Sequence, residues 1–446
     1  MRIFRKTEIN GFKQNLSLCL IQRVGEFFIK AAFSVRYVII LFLFIVFGSL
    51  SLNDIKSIDE QGVGGYSAME EIEIVPVFFG EEFRYFDDRI TSLLENRNFN
   101  GNVLIARHGI VYYNRSFGYA NFRSRAPLND TTAFQVASIG KTFTASAVLL
   151  LYHRGLLDLD DYVVNHISEF PYPKITIRHL LTHTSGLQNY MWLIENRWQS
   201  TRIPTNEDML NLFVQHTLPV NFQPGQRFDY SNTGYAFLAL LIERVSGKSY
   251  SEFIQNEIFD PVGMNHSFAN DLSNPVDVEN KAYGYRRFRN SYIRIPHNYI
   301  DGVLGDKGIY STVIDLYKWD RALYNNSLLP EHLRRKAFDY ARLNNNRTVN
   351  YGLGWRLQTF LDKKVVHHPG RWNGYRTSFK RYIDDQTTII VLSNTNRDVM
   401  RLVDELQLIV FHDEVKQYTA QAEGFVEEYH ENEILMGGLE SQPDQP

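Results

Sequence analysis

The 446-residue chain is 44% hydrophobic and 14% aromatic, ample for a large buried core, and its formal net charge is −3. That balance excludes the electrostatic footprint of a nucleic-acid-binding protein. The single cysteine, Cys19, lies in the N-terminal stretch, so disulfides and thiolate metal or redox sites are excluded from the rest. The charge is uneven. Residues 1–36 carry seven Lys or Arg against two Glu, and residues 414–446 carry one Lys against eight Asp or Glu. Both ends therefore read as separate from the core.

An apolar run, residues 37–47, follows Arg36. Its eleven residues suit the hydrophobic region of a signal peptide and fall short of the ~20 that span a bilayer. Ser49 and Ser51 suit a cut after Ser51, while extension to Leu52 gives 16 residues, which leaves an uncleaved anchor open. Residues 1–52 are thus expected to be a signal peptide or signal anchor. The protein would be exported, periplasmic or extracytoplasmic, with membrane attachment through residues 37–52 if uncleaved. The basic lead is long for a signal peptide, which points to a start at Val35. Residues 53–80 read as a linker.

From residue 81 the pattern sharpens. Phe83, Phe86, Ile90, Leu93 and Leu94 follow helical spacing. Residues 102–107 and 110–114 are β-rich runs around His108-Gly109, a hairpin signal. Residues 138–154 predict an Ala- and Leu-rich helix stopped by Gly155. The middle, 156–330, reads as helices separated by Pro and Gly loops, among them 207–216 and 232–246. Three strands follow, at 364–368, 377–383 and 388–393, then an amphipathic helix with Val399, Leu402, Val403, Leu406, Ile409 and Val410 on one face. Strands at both ends and helices between them predict one sheet built from both termini, with a helical second lobe and a cleft between. The domain is expected over 81–413, and the acidic segment 414–446 as a disordered tail.

Three constellations carry chemistry. Ser138-Ile139-Gly140-Lys141 opens a helix, and residues i and i+3 share a face, so hydroxyl and amine can meet. Backbone N–H groups at a helix start also stabilise developing negative charge. Taken in isolation, S-x-x-K is better read as a capping serine followed by a solvated lysine. Tyr230-Ser231-Asn232 precedes another helix; a tyrosine beside a lysine is a candidate general base, and an asparagine suits a substrate amide. The tripeptide pattern recurs at 112–114 and 324–326, so alone it is a turn with a cap. His368-Pro369-Gly370 ends an apolar strand, whose edge can offer a backbone N–H to an oxyanion. His153-Arg154-Gly155 repeats that short pattern at a helix end. His179 and His183 stand four apart but lack the acidic partner of a zinc helix motif, and no metal is expected. His367 and His368 point to opposite strand faces; His368, before Pro-Gly, is the one expected to face the site. Trp372 and Tyr375 are candidate cleft walls, and Ser185 reads as structural.

The order and surroundings of these motifs resemble the serine β-lactamase and penicillin-binding-protein family, in its class C β-lactamase-related branch. The resemblance spans residues 81–413. It is carried by Phe134-Gln135-Val136-Ala137-Ser138-Ile139-Gly140-Lys141, by Leu180-Leu181-Thr182-His183-Thr184-Ser185-Gly186-Leu187, and by Phe228-Asp229-Tyr230-Ser231-Asn232-Thr233-Gly234-Tyr235 after Pro224-Gly225. Gly305-Asp306-Lys307-Gly308-Ile309-Tyr310-Ser311-Thr312 and the His368 segment complete it. It implies an α/β (α+β) fold, an antiparallel sheet flanked by helices plus a mainly helical lobe. It implies Ser138 as nucleophile, Lys141 and Tyr230 as proton-transfer groups, and Asn232, His368, Gly370 and Arg371 as substrate-binding, with N–H groups of Ser138 and Arg371 as oxyanion hole. No cofactor is implied; the partner is a small-molecule or peptide substrate.

One departure bears on substrate. Many members carry Lys-Thr-Gly where this chain has His368-Pro369-Gly370, and that lysine helps bind a substrate carboxylate. Histidine is mostly neutral at pH 7, so Arg371 or Arg376 would have to compensate. The expected activity is a serine hydrolase acting on D-amino acid peptides or esters ahead of β-lactams. The rival is a non-hydrolytic penicillin-binding or sensing protein of the same fold.

Overall fold

The computed structural model describes residues 81–272, 278–289 and 291–416. The expected leader (1–52) and linker (53–80) lie outside these residues, as does the acidic tail from residue 417.

Six strands form the main sheet: β1 (Gly101–Arg107), β2 (Ile110–Phe117), β3 (Arg356–Phe360), β4 (Lys363–Trp372), β5 (Tyr375–Tyr382) and β6 (Thr387–Ser393), in the spatial order β3-β4-β5-β6-β1-β2. Every neighbour pair is antiparallel, and the two ends of the chain meet where β1 pairs with β6, from Gly101 opposite Ser393 to Ala106 opposite Thr388. The β1–β2 turn has φ +52° at His108 and +73° at Gly109, the positive pair that a two-residue hairpin requires.

Strand alternation divides the sheet into two cores. Val103, Ile105, Val365, Ile389 and Val391 face the helices α1 (Glu81–Asn96) and α6 (Val399–Val410), where Leu402, Val403 and Leu406 are buried. Their neighbours Leu104, Val366, Ile390 and Leu392 face the larger core shared with the helical lobe. Both faces are covered, so β6 is buried at every residue.

At the centre of that larger core run α2 (Gly140–His153), buried continuously from Gly140 to Leu151, and α4 (Asn232–Ser246), buried from Thr233 to Ile242. Helices apolar on all sides belong inside a domain. Ser231 caps α4, its Oγ accepting from the Gly234 N–H at 3.4 Å, and Gly247 ends it at φ +70°. Helix α3 (Asn206–His216) packs on α4, and helix α5 (Val313–Ala322) packs on β1 and β6 of the sheet.

Three local expectations need correction. The helix expected from residue 138 begins at Gly140, after a 3₁₀ turn over Ala137–Ile139. Strand β2 runs to Phe117 rather than residue 114. Strand β4 runs to Trp372 through Pro369, although proline cannot donate to a ladder. The reason is the length of β3, which the sequence reading missed. It pairs only with Lys363 to His367, so Pro369 falls where β4 is an edge.

A buried ion pair joins α5 to the sheet. Arg381 and Asp320 are fully buried; Arg381 Nε donates to Asp320 Oδ1 at 2.6 Å, and the Thr388 hydroxyl donates to the same oxygen at 2.8 Å. Removing one partner strands the other charge. Asp320→Ala is therefore expected to destabilise the protein by about 3–5 kcal/mol in urea unfolding, and an unchanged midpoint would refute that.

Candidate active site

Ser138 stands half-buried on the 3₁₀ turn. Its predecessor Ala137 has φ +53°, a left-handed conformation that a residue with a Cβ adopts at a cost of about 1 kcal/mol or more. The turn is held from two sides. Val136 N–H donates to the Ile309 carbonyl at 2.9 Å, and the Thr377 hydroxyl of β5 donates to the Val136 carbonyl at 2.9 Å. Strand β4 approaches at Gly370, where an added Cβ would lie 2.2 Å from the Val136 oxygen and 2.1 Å from Thr377 Oγ1. Only glycine allows this approach, which sets the unpaired edge of β4 beside Ser138.

Lys141, the second residue of α2 and one turn after Ser138, is wholly buried and so is not a solvated helix-surface lysine. Its Nζ lies 3.3 Å from Ser138 Oγ and donates to the Asp306 carbonyl at 2.7 Å. The ammonium also sits over the rings of Tyr230 and Tyr235, 5.2 and 5.5 Å from their centroids. The Asp306 backbone is anchored by its own buried neighbours. Lys307 Nζ donates to the Tyr190 hydroxyl at 2.8 Å, and that hydroxyl donates to the Asp306 carboxylate at 3.2 Å.

The segment 182–186 acts as a template for the loop that carries Tyr230. Gly225 and Asp229 N–H groups donate to the Thr184 and His183 carbonyls at 2.8 and 2.9 Å. The Ser231 N–H donates to His183 Nδ1 at 3.0 Å, and the His183 ring packs 4.3 Å from that of Tyr230. His183 is buried and at φ +59°. With Nδ1 accepting, the neutral ring carries its proton on Nε2, which has no partner among the described residues. His179 instead caps its own helix through Nδ1, accepting from Thr176 N–H at 3.1 Å.

His368 is buried, with Nδ1 2.8 Å from the Pro369 carbonyl and Nε2 3.2 Å from the Tyr351 hydroxyl. A carbonyl only accepts, so Nδ1 donates; in the neutral ring Nε2 is then the acceptor for the Tyr351 hydroxyl, and both nitrogens are engaged. Burial, reinforced by the Lys141 charge, pushes the His368 pKa well below the usual imidazole value.

Ser138, Tyr230, His368, Gly370 and Arg371 line one cleft of about 520 Å³, together with Arg356, Arg376, Thr377, Asn396 and Asp398. Lys141 lies behind Ser138. Asn232 lines an adjoining hollow of about 240 Å³ that shares Tyr230, and its Oδ1 is buried without a partner among the described residues. Sequence reasoning missed Arg356, whose guanidinium lies 5.0 Å over the Tyr230 ring, and Tyr351, which bonds His368. The only signal for either was the stretch Tyr351-Gly352-Leu353-Gly354-Trp355-Arg356, whose glycines mark a close approach; at Gly354 an added Cβ would meet that of Ala145 in α2 at 2.6 Å.

The β-lactamase family model matches residues 86–413. The chain belongs to the β-lactamase family. It is 41% identical over 320 residues to a penicillin-binding protein of Bacillus subtilis (strain 168), covering 69% of this chain and 70% of that one. A D-aminopeptidase of Gluconobacter oxydans is 24% identical over 66% of this chain and 55% of its own length. The crystal structure of a penicillin-binding protein from Bacillus halodurans superposes with a TM-score of 0.63 at 27% identity, over 71% of this chain and 98% of that one. The family is one of serine hydrolases, and the fold is that of β-lactamases and transpeptidases.

The buried histidines make stability depend on pH. Burial lowers the pKa of His183 and His368 well below the ordinary value and that of His367 to about 3. Below about pH 6.5 the unfolded chain binds protons at these positions that the folded one refuses. Their contribution is therefore complete above about pH 6.5 and is lost as pH falls toward the depressed folded values. Urea-unfolding stability is expected to drop between pH 7 and 5, by at most about 1.4 kcal/mol per histidine per pH unit. A flat profile over that range would contradict it.

Proposed function

We propose that this protein is an exported acyl-transfer hydrolase, with residues 37–52 as leader or anchor, that cleaves an amide or ester bond of a D-amino acid derivative through Ser138. The observation that carries the reading is the 3.3 Å contact between Ser138 Oγ and the buried Lys141 Nζ. Ser138 Oγ attacks the substrate carbonyl carbon, and its proton passes to Tyr230 acting as a phenolate, whose charge the Lys141 ammonium balances. The carbonyl electron pair moves onto oxygen, where the Ser138 and Arg371 N–H groups receive the oxyanion. Collapse expels the amine or alcohol, which takes the proton, and leaves an ester on Ser138. Water, deprotonated by the same pair, then attacks that ester and frees the acid. Asn232 holds the amide of the acyl portion. The D-amino acid preference is supported by the D-aminopeptidase among the relatives.

Carboxylate recognition, where a substrate has one, falls to the arginines on the open side of the cleft, because His368 is neutral and fully engaged.

Mass spectrometry of the intact protein after brief exposure to a penicillin and to a p-nitrophenyl ester tests the chemistry. The expected result is a stoichiometric adduct or a product burst that Ser138→Ala abolishes, with Lys141→Ala slowing acylation by about 10²–10⁴-fold. An adduct that never turns over would favour the non-hydrolytic binding protein instead. No adduct with either probe would sink the nucleophile assignment. For recognition, Arg376→Ala is expected to raise KM about tenfold for a D-alanine-terminated peptide and to leave its C-terminal amide unaffected. Equal changes for both would count against Arg376.

A further inference from the structure

A short hairpin, strands Tyr285–Phe288 and Ser291–Arg294, stands at the edge of the cleft. Between Lys281 and Ile300 the sequence has five Lys or Arg and no Asp or Glu. Arg286, Arg287, Arg289 and Arg294 are all exposed, and none has a carboxylate partner among the described residues. Exposed arginines on most surfaces are interspersed with acids; here they are not.

The hairpin is nonetheless built rather than loose. Tyr292 stacks on Phe122 at 4.0 Å, Tyr285 meets the same ring edge-on at 4.8 Å, and the Arg294 guanidinium lies 3.8 Å over Tyr283. The turn holding Phe122 adds exposed Arg123 and Arg125. On its outer face Phe288 and Ile293 are 54% and 43% exposed.

This basic surface continues into the active-site cleft. Tyr285 N–H donates to the Asn394 carbonyl at 2.8 Å, and Arg287 N–H to Asn396 Oδ1 at 3.0 Å. Asn396 lines the cleft with Ser138, and there Arg371 and Arg376 stand directly opposite each other on β4 and β5. Like charges in that register repel. The one carboxylate lining the cleft, Asp398, is occupied as the cap of α6, accepting from Met400 and Arg401 N–H groups.

We propose that the hairpin is a docking rail for an anionic polymer strand, which runs along it, past Asn396 and into the cleft. Repeating carboxylate or phosphate groups would meet the hairpin arginines and then the Arg371–Arg376 pair. A bilayer surface could meet Phe288 and Ile293 but could not follow the charge into a concave cleft, so the continuity of the strip favours a flexible chain. The inference rests on the reading of the cleft as the hydrolytic site and extends it from small substrates to a bond carried on a polyanion.

The test uses the full chain and the variant Arg286→Gln/Arg287→Gln/Arg289→Gln/Arg294→Gln, which leaves the catalytic residues intact. Binding is measured by anisotropy with fluorescent polygalacturonate and with polyphosphate, against neutral dextran and phosphatidylglycerol vesicles. The same polymers are tested as competitors of p-nitrophenyl ester hydrolysis. Expected are salt-sensitive binding of at least one polyanion, competition with the ester, and a tenfold or greater loss of both in the variant at unchanged ester turnover. Failure to bind either polyanion, binding unchanged by the variant, binding without competition, or binding to vesicles alone would each overturn it. If the wild type fails to hydrolyse the ester while polyanion binding and its loss in the variant persist, docking stands and the hydrolytic reading falls.

Discussion

A fully buried ammonium governs the residues around Ser138. A cation removed from water is tolerated only where its donors find acceptors, and Lys141 finds the Asp306 carbonyl and the serine oxygen. The carbonyl is fixed because the Asp306 carboxylate, Lys307 and Tyr190 form their own buried network. The aromatic faces of Tyr230 and Tyr235 complete the shell. The same positive charge acts outward, because it adds to burial in keeping His183 and His368 neutral. A neutral His368 can then accept from Tyr351 and donate to Pro369, which makes it part of the wall rather than a cationic substrate ligand. Substrate charge must be met from the solvent side, where the arginines are.

Most of the fold was legible because each element states its own period and its own ends. Helix α4 matches its expected span, residues 232–246, since Ser231 and Gly247 supply cap and stop on either side of an apolar run. The β1–β2 hairpin was legible from His108-Gly109 for the same local reason. Strand β3 was not. Arg-Leu-Gln-Thr-Phe is only partly alternating, and its pairing with Lys363 to His367 is the edge of a sheet that the rest of the chain must build first. The premature end assigned to β4 has the same origin: Pro369 reads as a strand breaker until the shortness of β3 is known.

The site divides along the same line. Ser138, Tyr230, His368, Gly370 and Arg371 were singled out from short-range text, and they share one cleft. The 3₁₀ turn was invisible because Ala137 carries no mark of positive φ; its conformation is imposed by Val136, Ile309 and Thr377, residues far apart in sequence. Arg356 reaches the cleft only through the β3–β4 register. His183, set aside as a metal ligand from the sequence, bonds the Ser231 N–H and so sets the loop from which Tyr230 projects.

Several features that oppose local stability lie around this cleft. Ala137 is left-handed, the Asn232 Oδ1 and His183 Nε2 are buried without partners among the described residues, and Arg371 faces Arg376 across a strand pair. In the scaffold, by contrast, the buried Arg381 has its carboxylate. Departures from local rules that lie beside a cleft are ones a bound molecule can compensate. Two of these departures name a complement: a hydrogen-bond donor for Asn232 Oδ1, and an anion for the paired arginines. An amide and a negative charge on one substrate would answer both. That requirement comes from the unsatisfied groups themselves and stands apart from the nucleophile, which would serve a neutral ester equally well.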